Sequence, residues 1–145
     1  MNKPLHVLEL GDGVASAYAA RLLADNGAEV IKVEPPHGDS TRRRGPYPAD
    51  APDPEHSGLF LPLNLNKRGV VLARLHADDP TMDNLLRWAD VLIHDMRAST
   101  SLERSLDADT LTARYPSLIT LSITAFGSVD SLCHREQLAR PGTMY

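Results

Sequence analysis

Apolar positions along the chain follow two different periods. Leu5-His6-Val7-Leu8-Glu9-Leu10 and Ala28-Glu29-Val30-Ile31-Lys32-Val33-Glu34 are short aliphatic or β-branched runs bounded by Gly, the pattern of strands. Between them Ala15, Tyr18, Ala19, Leu22 and Leu23 recur at three- and four-residue steps, the period of a helix, and Asn26-Gly27 supplies a left-handed stop. Residues 5–34 therefore predict one β-α-β unit, with enough chain for a helical crossover between parallel strands. A right-handed crossover puts Gly11-Asp12-Gly13 at the carboxyl end of the first strand, where open α/β sheets bind ligands.

The period is lost after Glu34. Residues 35–58 are rich in Pro, Gly, Arg and acid and read as a long excursion, functional or mobile. Residues 59–65 are apolar enough to bury, but Pro62 argues against a helix interior or a central strand, so an irregular segment is expected. Residues 64–69 form a polar turn before a third strand at 70–75. Asp78-Asp79-Pro80 opens a helix that Leu85, Leu86 and Trp88 continue. A fourth strand follows at Val91-Leu92-Ile93, then two short helices at 99–105 and 107–115, the second stopped near Pro116. Residues 118–123 are the fifth strand. This alternation selects an α/β class with a mainly parallel sheet. Residues 126–145 show neither period, so the last strand has no closing helix and one sheet face is left under-covered. A continuation or a partner chain is the expected remedy.

Composition narrows the setting. The 145 residues fit one domain, and 42% apolar content suffices for a core. A formal charge of -4 and a pI near 5.8 argue against general affinity for nucleic acid, although Arg42-Arg43-Arg44 is a local basic patch. The single cysteine, Cys133, allows no intrachain disulfide and points to a reducing, cytoplasmic location. Neither a membrane-spanning apolar run nor a signal peptide pattern is present, so no membrane partner is expected.

Two constellations suggest a ligand. Gly11-x-Gly13-x-x-Ser16 after a strand, with Glu34 closing the next strand roughly 20 residues on, partly matches a dinucleotide turn. Ser16 replaces the third Gly and Asp12 puts negative charge beside the supposed pyrophosphate, so a ligand-free explanation carries more weight than NAD. The second set is basic: Arg42, Arg43, Arg44, Lys67, Arg68, Arg97 and Arg104, several in turns following predicted strands, which suits a phosphorylated ligand. The six histidines show no metal-ligand spacing with one another or with Cys133, and neither a Gly-x-Ser-x-Gly elbow nor a Walker loop occurs.

Four segments, VLELGDGVASAYAARLLADNGAEVIKVEPPHGDSTRRRGP, LNLNKRGV, WADVLIHDMR and YPSLITLSITAFG, together resemble the amino-terminal region of the family III CoA-transferases, which include formyl-CoA, carnitine and bile-acid CoA-transferases and the related alpha-methylacyl-CoA racemases. The resemblance spans most of residues 5–127. It implies a Rossmann-like large domain built from both ends of a chain, an interlocked dimer, and reversible transfer of CoA between carboxylic acids through an aspartyl anhydride and an aspartyl-CoA thioester.

By position, the resemblance implies that Val14 and Ala15 contact CoA at the first turn and that Asn64, Leu65, Asn66 and Lys67 lie along the nucleotide. Asp95, Met96 and Arg97 match a strand-end contact usually written Asn-Phe-Arg, and Arg104 matches a basic residue approaching the phosphates. Departures are Val14 and Ser16-Ala17 beside the turn, Asp95 for asparagine, and Ser128-Val129-Asp130-Ser131-Leu132 where a Gly-Pro-aromatic-Asp run belongs. The family's nucleophilic aspartate belongs beyond Tyr145, and Asp130 is too early to be it, so no catalytic residue is assigned. The expectation is thus an incomplete amino-terminal, CoA-binding portion over residues 1–127, an irregular tail over 128–145, and no small domain. Its substrates would be acyl-CoA and a carboxylic acid, with no metal, and its protein partner a second copy or a complementing chain. A racemase fragment and a non-catalytic nucleotide-binding or interaction module stay open as alternatives.

Overall fold

The computed structural model describes residues 3–48 and 51–124. The expected tail at 128–145, Cys133 and the Phe126-Gly127 end of the last family segment lie outside the described residues. The first unit forms as its pattern predicts: β1 (His6–Glu9), α1 (Val14–Asp25) and β2 (Glu29–Glu34). Asn26-Gly27 ends α1 with a Gly27 φ of 92°. There the Gly27 N–H donates to the Ala24 carbonyl and the Ala28 N–H to the Leu23 carbonyl, both at 3.0 Å, the pair of bonds that closes a helix on a left-handed glycine.

The remaining elements are a short 3-10 turn (Ser40–Arg43), α2 (Phe60–Asn64), β3 (Lys67–Val71), α3 (Pro80–Trp88), β4 (Val91–His94), α4 (Ala98–Glu103), α5 (Ala108–Arg114) and β5 (Ile119–Ser122). The five strands make one sheet in the order β3-β2-β1-β4-β5, every pair parallel. The predicted α/β class and Rossmann-like strand arrangement are therefore observed. Asp79 starts α3 by accepting from the Thr81 and Met82 N–H groups, and Asp107 starts α5 by accepting from the Thr110 N–H.

Alternation along the strands divides the core in two. Val7, Val30 and Ile93 point to one face, against Ala20 and Ala24 of α1. Leu8, Leu10, Val33 and Leu92 point to the other, against Met82 and Leu86 of α3 and Leu111 and Tyr115 at α5. The second face is well covered. On the first, Ile119 and Leu121 of β5 lie in register with Val91 and Ile93, yet they are 65% and 45% exposed. The expected lack of a closing helix concerns residues 126–145, which lie outside the described residues. His6 and Trp88 tie β1 to the end of α3 as a stacked ring pair, centroids 4.3 Å apart.

Three stretches differ from expectation. The third strand starts at Lys67 and ends at Val71, where 70–75 was expected, and pairs with β2 from Val30 to Glu34. The charged residues at its start are tolerated because each has a carboxylate partner, Lys67 with Glu9 and Arg68 with Glu29, both at 2.6 Å. Residues 60–64 are a helix and not an irregular segment. Pro62 falls in its first turn, where the missing N–H costs nothing, and the Ser57 hydroxyl accepts from the Phe60 N–H at 3.1 Å. The excursion after β2 has structure of its own: the Ser57 Oγ lies 2.8 Å from the Thr41 carbonyl and 2.6 Å from that of Arg44, pinning its two ends together. Among the described residues no helix is long and apolar enough to cross a membrane.

Candidate functional site at the carboxyl ends of the strands

The bend after β1 is the centre of the carboxyl rim. A side chain at Gly11 would put a Cβ 1.7 Å from the Ser16 Oγ, so only glycine lets the fully buried Ser16 pack there. Asp95, just past β4, clasps the bend: one carboxylate oxygen accepts from the Asp12 N–H at 3.0 Å and the other from the Ser16 hydroxyl at 2.9 Å. From the other side, the Ser40 N–H donates to the Asp12 carboxylate at 2.5 Å. The Asp95 carboxylate thus braces the first turn of α1, whose N-cap Gly13 has no side-chain cap of its own, and the Asp12 carboxylate ties the bend to the turn at Ser40. These contacts explain Gly11 and Ser16 without a dinucleotide, and a Cβ at Gly13 would come within 3.1 Å of Asp95 Oδ2. Glu34, the would-be ribose ligand, is held by Arg42 through two bonds of 2.7 and 2.9 Å and by the Asp39 N–H.

Beneath the bend lies a buried cluster that the sequence did not announce. The Lys32 ammonium donates to Glu9 Oε1 at 2.7 Å and to the Gly11 carbonyl at 3.1 Å, and pairs with Asp39 Oδ2 at 2.7 Å. Glu9 Oε2 accepts from the Lys67 ammonium at 2.6 Å. All four side chains are at most 2% exposed, and their charges cancel. Burial pulls the Lys32 pKa down, but Glu9 and Asp39 outweigh it and hold it above the usual lysine value. For Lys67 burial wins, and its pKa lies below the usual value despite Glu9. The available signal was a charge set inside each apolar run, Glu9 between Leu8 and Leu10 and Lys32 between Ile31 and Val33. In a sheet covered on both faces such a charge needs a partner.

The acids of this rim make folding pH-dependent. Burial alone would raise the pKa of Asp39 and Glu34, but Lys32 beside the first and Arg42 with the Asp39 N–H beside the second hold both below the ordinary carboxylate range. Their stabilising contribution is complete above that range and is lost as pH falls through the depressed folded values. The urea midpoint is therefore expected to fall most steeply below about pH 4, after a shallower decline from about pH 7 to 5, where the unfolded chain protonates the imidazole that burial keeps neutral at His94. A midpoint unchanged at pH 3 would contradict these pairings.

The residues singled out by family resemblance fall into two groups. Val14, Ala15, Asp95, Met96, Arg97 and Arg104 gather at the carboxyl rim, where Arg104 touches the Met96 sulfur at 3.8 Å and the Arg97 side chain is exposed without a partner among the described residues. Asn64, Leu65 and Asn66 lie at the amino end of β3, where Asn66 reaches Asp25 at the last turn of α1. Twelve residues of α1, about 18 Å, separate the two ends. Along its exposed face run Val14, Tyr18 and Leu22, and Leu65 lines a shallow groove with the last two. Lys67 and Arg68 are not in a turn following a strand: Lys67 is buried in the ionic cluster and Arg68 pairs with Glu29. Among the other cations, Arg42 is committed to Glu34 and lies over the Phe60 ring at 3.7 Å. His94 was not anticipated. It is 4% exposed, its Nδ1 has no partner among the described residues, and burial pulls its pKa below the usual imidazole value.

Comparison with known proteins sets this geometry among relatives. The chain is 34% identical over 122 residues to cinnamoyl-CoA:phenyllactate CoA-transferase of Clostridium sporogenes, which covers 83% of the chain and 30% of that protein. It is 36% identical over 124 residues to succinyl-CoA:mesaconate CoA-transferase of Haloarcula hispanica, covering 85% of the chain and 31% of the relative. Among solved structures, a CAIB/BAIF family protein from Brucella suis superposes with a TM-score of 0.74 at 31% identity, covering 90% of this chain and 35% of that one. Rv3272 from M. tuberculosis gives 0.74 at 33% identity, over 95% and 37%. The chain therefore spans about a third of the length of the relatives it matches. Since the family model described as CoA-transferase family III matches residues 3–142, nearly the whole sequence, the chain belongs to that family.

Proposed function

We propose that the chain is the amino-terminal, CoA-binding portion of an enzyme that moves CoA between carboxylic acids. In that reaction an aspartate oxygen attacks the acyl-CoA carbonyl, forming the anhydride and releasing the CoA thiolate. The thiolate then attacks the aspartyl carbonyl, giving aspartyl-CoA and free carboxylate. The acceptor acid reverses both steps. The nucleophile belongs to a part of the enzyme beyond residue 145, and this chain's share is to hold the CoA. Val14, Ala15, Asp95, Met96, Arg97 and Arg104 receive one end of it, and the turn of Asn64, Leu65 and Asn66 receives the other.

The observation that carries this reading is the meeting of the glycine bend, the Asp95-Met96-Arg97 strand end and Arg104 at one rim, in a chain matched by the family model over residues 3–142. Support for a single extended ligand comes from α1, whose exposed Val14, Tyr18 and Leu22 run between the two groups. Calorimetry on the 145-residue chain is expected to give heat with CoA that weakens as salt rises, and none with NAD. No heat with CoA at low salt would overturn the assignment. Turnover by the purified chain, or a CoA adduct on one of its own aspartates, would overturn the placement of the nucleophile.

A further inference from the structure

We infer that Lys67 is a positioning residue that never touches the ligand and instead locks the Asn64-Leu65-Asn66 turn to the glycine bend. As a statement about CoA binding this rests on the function proposed above; as a statement about the link between two segments it stands on geometry alone.

An ammonium has three N–H donors. Those of Lys67 are met by Glu9 Oε2 at 2.6 Å, the Ala17 carbonyl at 2.8 Å and Asn64 Oδ1 at 3.0 Å. With its side chain 2% exposed, none is left for a phosphate unless one of these bonds breaks. The three acceptors belong to β1, α1 and the end of α2, so one side chain joins three elements. Its partner Glu9 shares the other carboxylate oxygen with Lys32, which donates to the Gly11 carbonyl. An unbroken path of buried ionic hydrogen bonds thus runs from Gly11 through Lys32, Glu9 and Lys67 to Asn64. Asn64 in turn donates to the Phe60 carbonyl at 2.9 Å, and Asn66, two residues on, donates to the Asp25 carboxylate at 2.8 Å, so the turn is held at both its ends. The two segments that the family reading gives to CoA are tied together inside the protein, by a residue the same reading gives to the ligand.

The test compares Lys67→Met with the double variant Glu9→Gln/Lys67→Met, in which the amide introduced at position 9 still offers Lys32 an acceptor and no carboxylate is stranded should the single variant fail to fold. Amide hydrogen exchange without ligand is expected to rise at residues 11–13 and 64–66 together, while β4 and α5 keep their protection. CoA affinity is expected to fall roughly tenfold or more, the scale of a misplaced binding element. The slope of affinity against salt should stay at the wild-type value, because no phosphate contact is lost. A slope lowered by about one unit would make Lys67 a direct phosphate ligand and overturn the inference. So would unchanged exchange at either segment. Absence of CoA binding by the wild-type chain would sink the proposed function, leaving exchange to decide the link.

Discussion

Replacing Lys32 with methionine is expected to remove about 3–5 kcal/mol of stability, the usual cost of stripping one partner from a buried ion pair. Methionine keeps most of the stem's volume, so the loss reports charge and not a cavity. What makes the effect large is that Lys32 serves two carboxylates at once, Glu9 at 2.7 Å and Asp39 at 2.7 Å, both at most 1% exposed. Lys67 reaches only Glu9 by an ion pair, so Asp39 is stranded when Lys32 is removed. Small domains are stable by about 5–15 kcal/mol in total, so the variant should unfold at much lower urea. Adding Asp39→Asn is expected to return at least half of the loss, since a Glu9–Lys67 pair then stands alone and balanced. Urea titration followed by circular dichroism measures both. A single-variant loss below about 1 kcal/mol, or strictly additive effects, would mean the four charges do not act as a unit.

Gly11→Ala should cost about 3 kcal/mol, the upper end of what overpacking a tight site does. The new Cβ would lie 1.7 Å from the Ser16 Oγ and 2.4 Å from the Ser16 Cβ. Ser16 cannot step aside: it is fully buried in the first turn of α1, and its hydroxyl is bound to Asp95. Either the bend or the helix must shift, and with it the Asp12 N–H that Asp95 holds. Adding Ser16→Gly in the same chain clears the space, at about 1 kcal/mol for glycine in a helix, so the double variant is expected to be more stable than Gly11→Ala alone. Thermal unfolding of the three proteins decides it. An alanine variant within about 0.5 kcal/mol of wild type would show that the bend has room this packing denies.

Local signals read correctly where the determinants are local. Four of the five strand runs, the Asn26-Gly27 stop, and the Asp79-Pro80 and Asp107 starts all depend on neighbours within a few residues, and they appear where the pattern put them. Pro62 misled because a proline forbids a helix interior but suits a first turn, and only the position of Ser57 decides which one applies. Lys67 and Arg68 looked like turn residues because charge is rare in strands. Their acceptability depends on Glu9, 58 residues away, and Glu29, 39 residues away. The same distance hid the ionic cluster, since Lys32 and Glu9 are 23 positions apart. For the site, the rim residues were proposed through family resemblance, whereas the bracing of the bend by Asp95 and Ser40 depends on pairings that no spacing reveals.

The stacked His6 and Trp88 rings give the chain a built-in optical reporter. Trp88 is its only tryptophan, and the two planes are inclined by just 13°. Emission from that indole therefore monitors one joint, between the first strand and the end of the third helix, and should change when the rings part, whatever happens elsewhere. Fluorescence and circular dichroism of one sample can thus be compared to ask whether that joint opens with the rest of the fold or ahead of it.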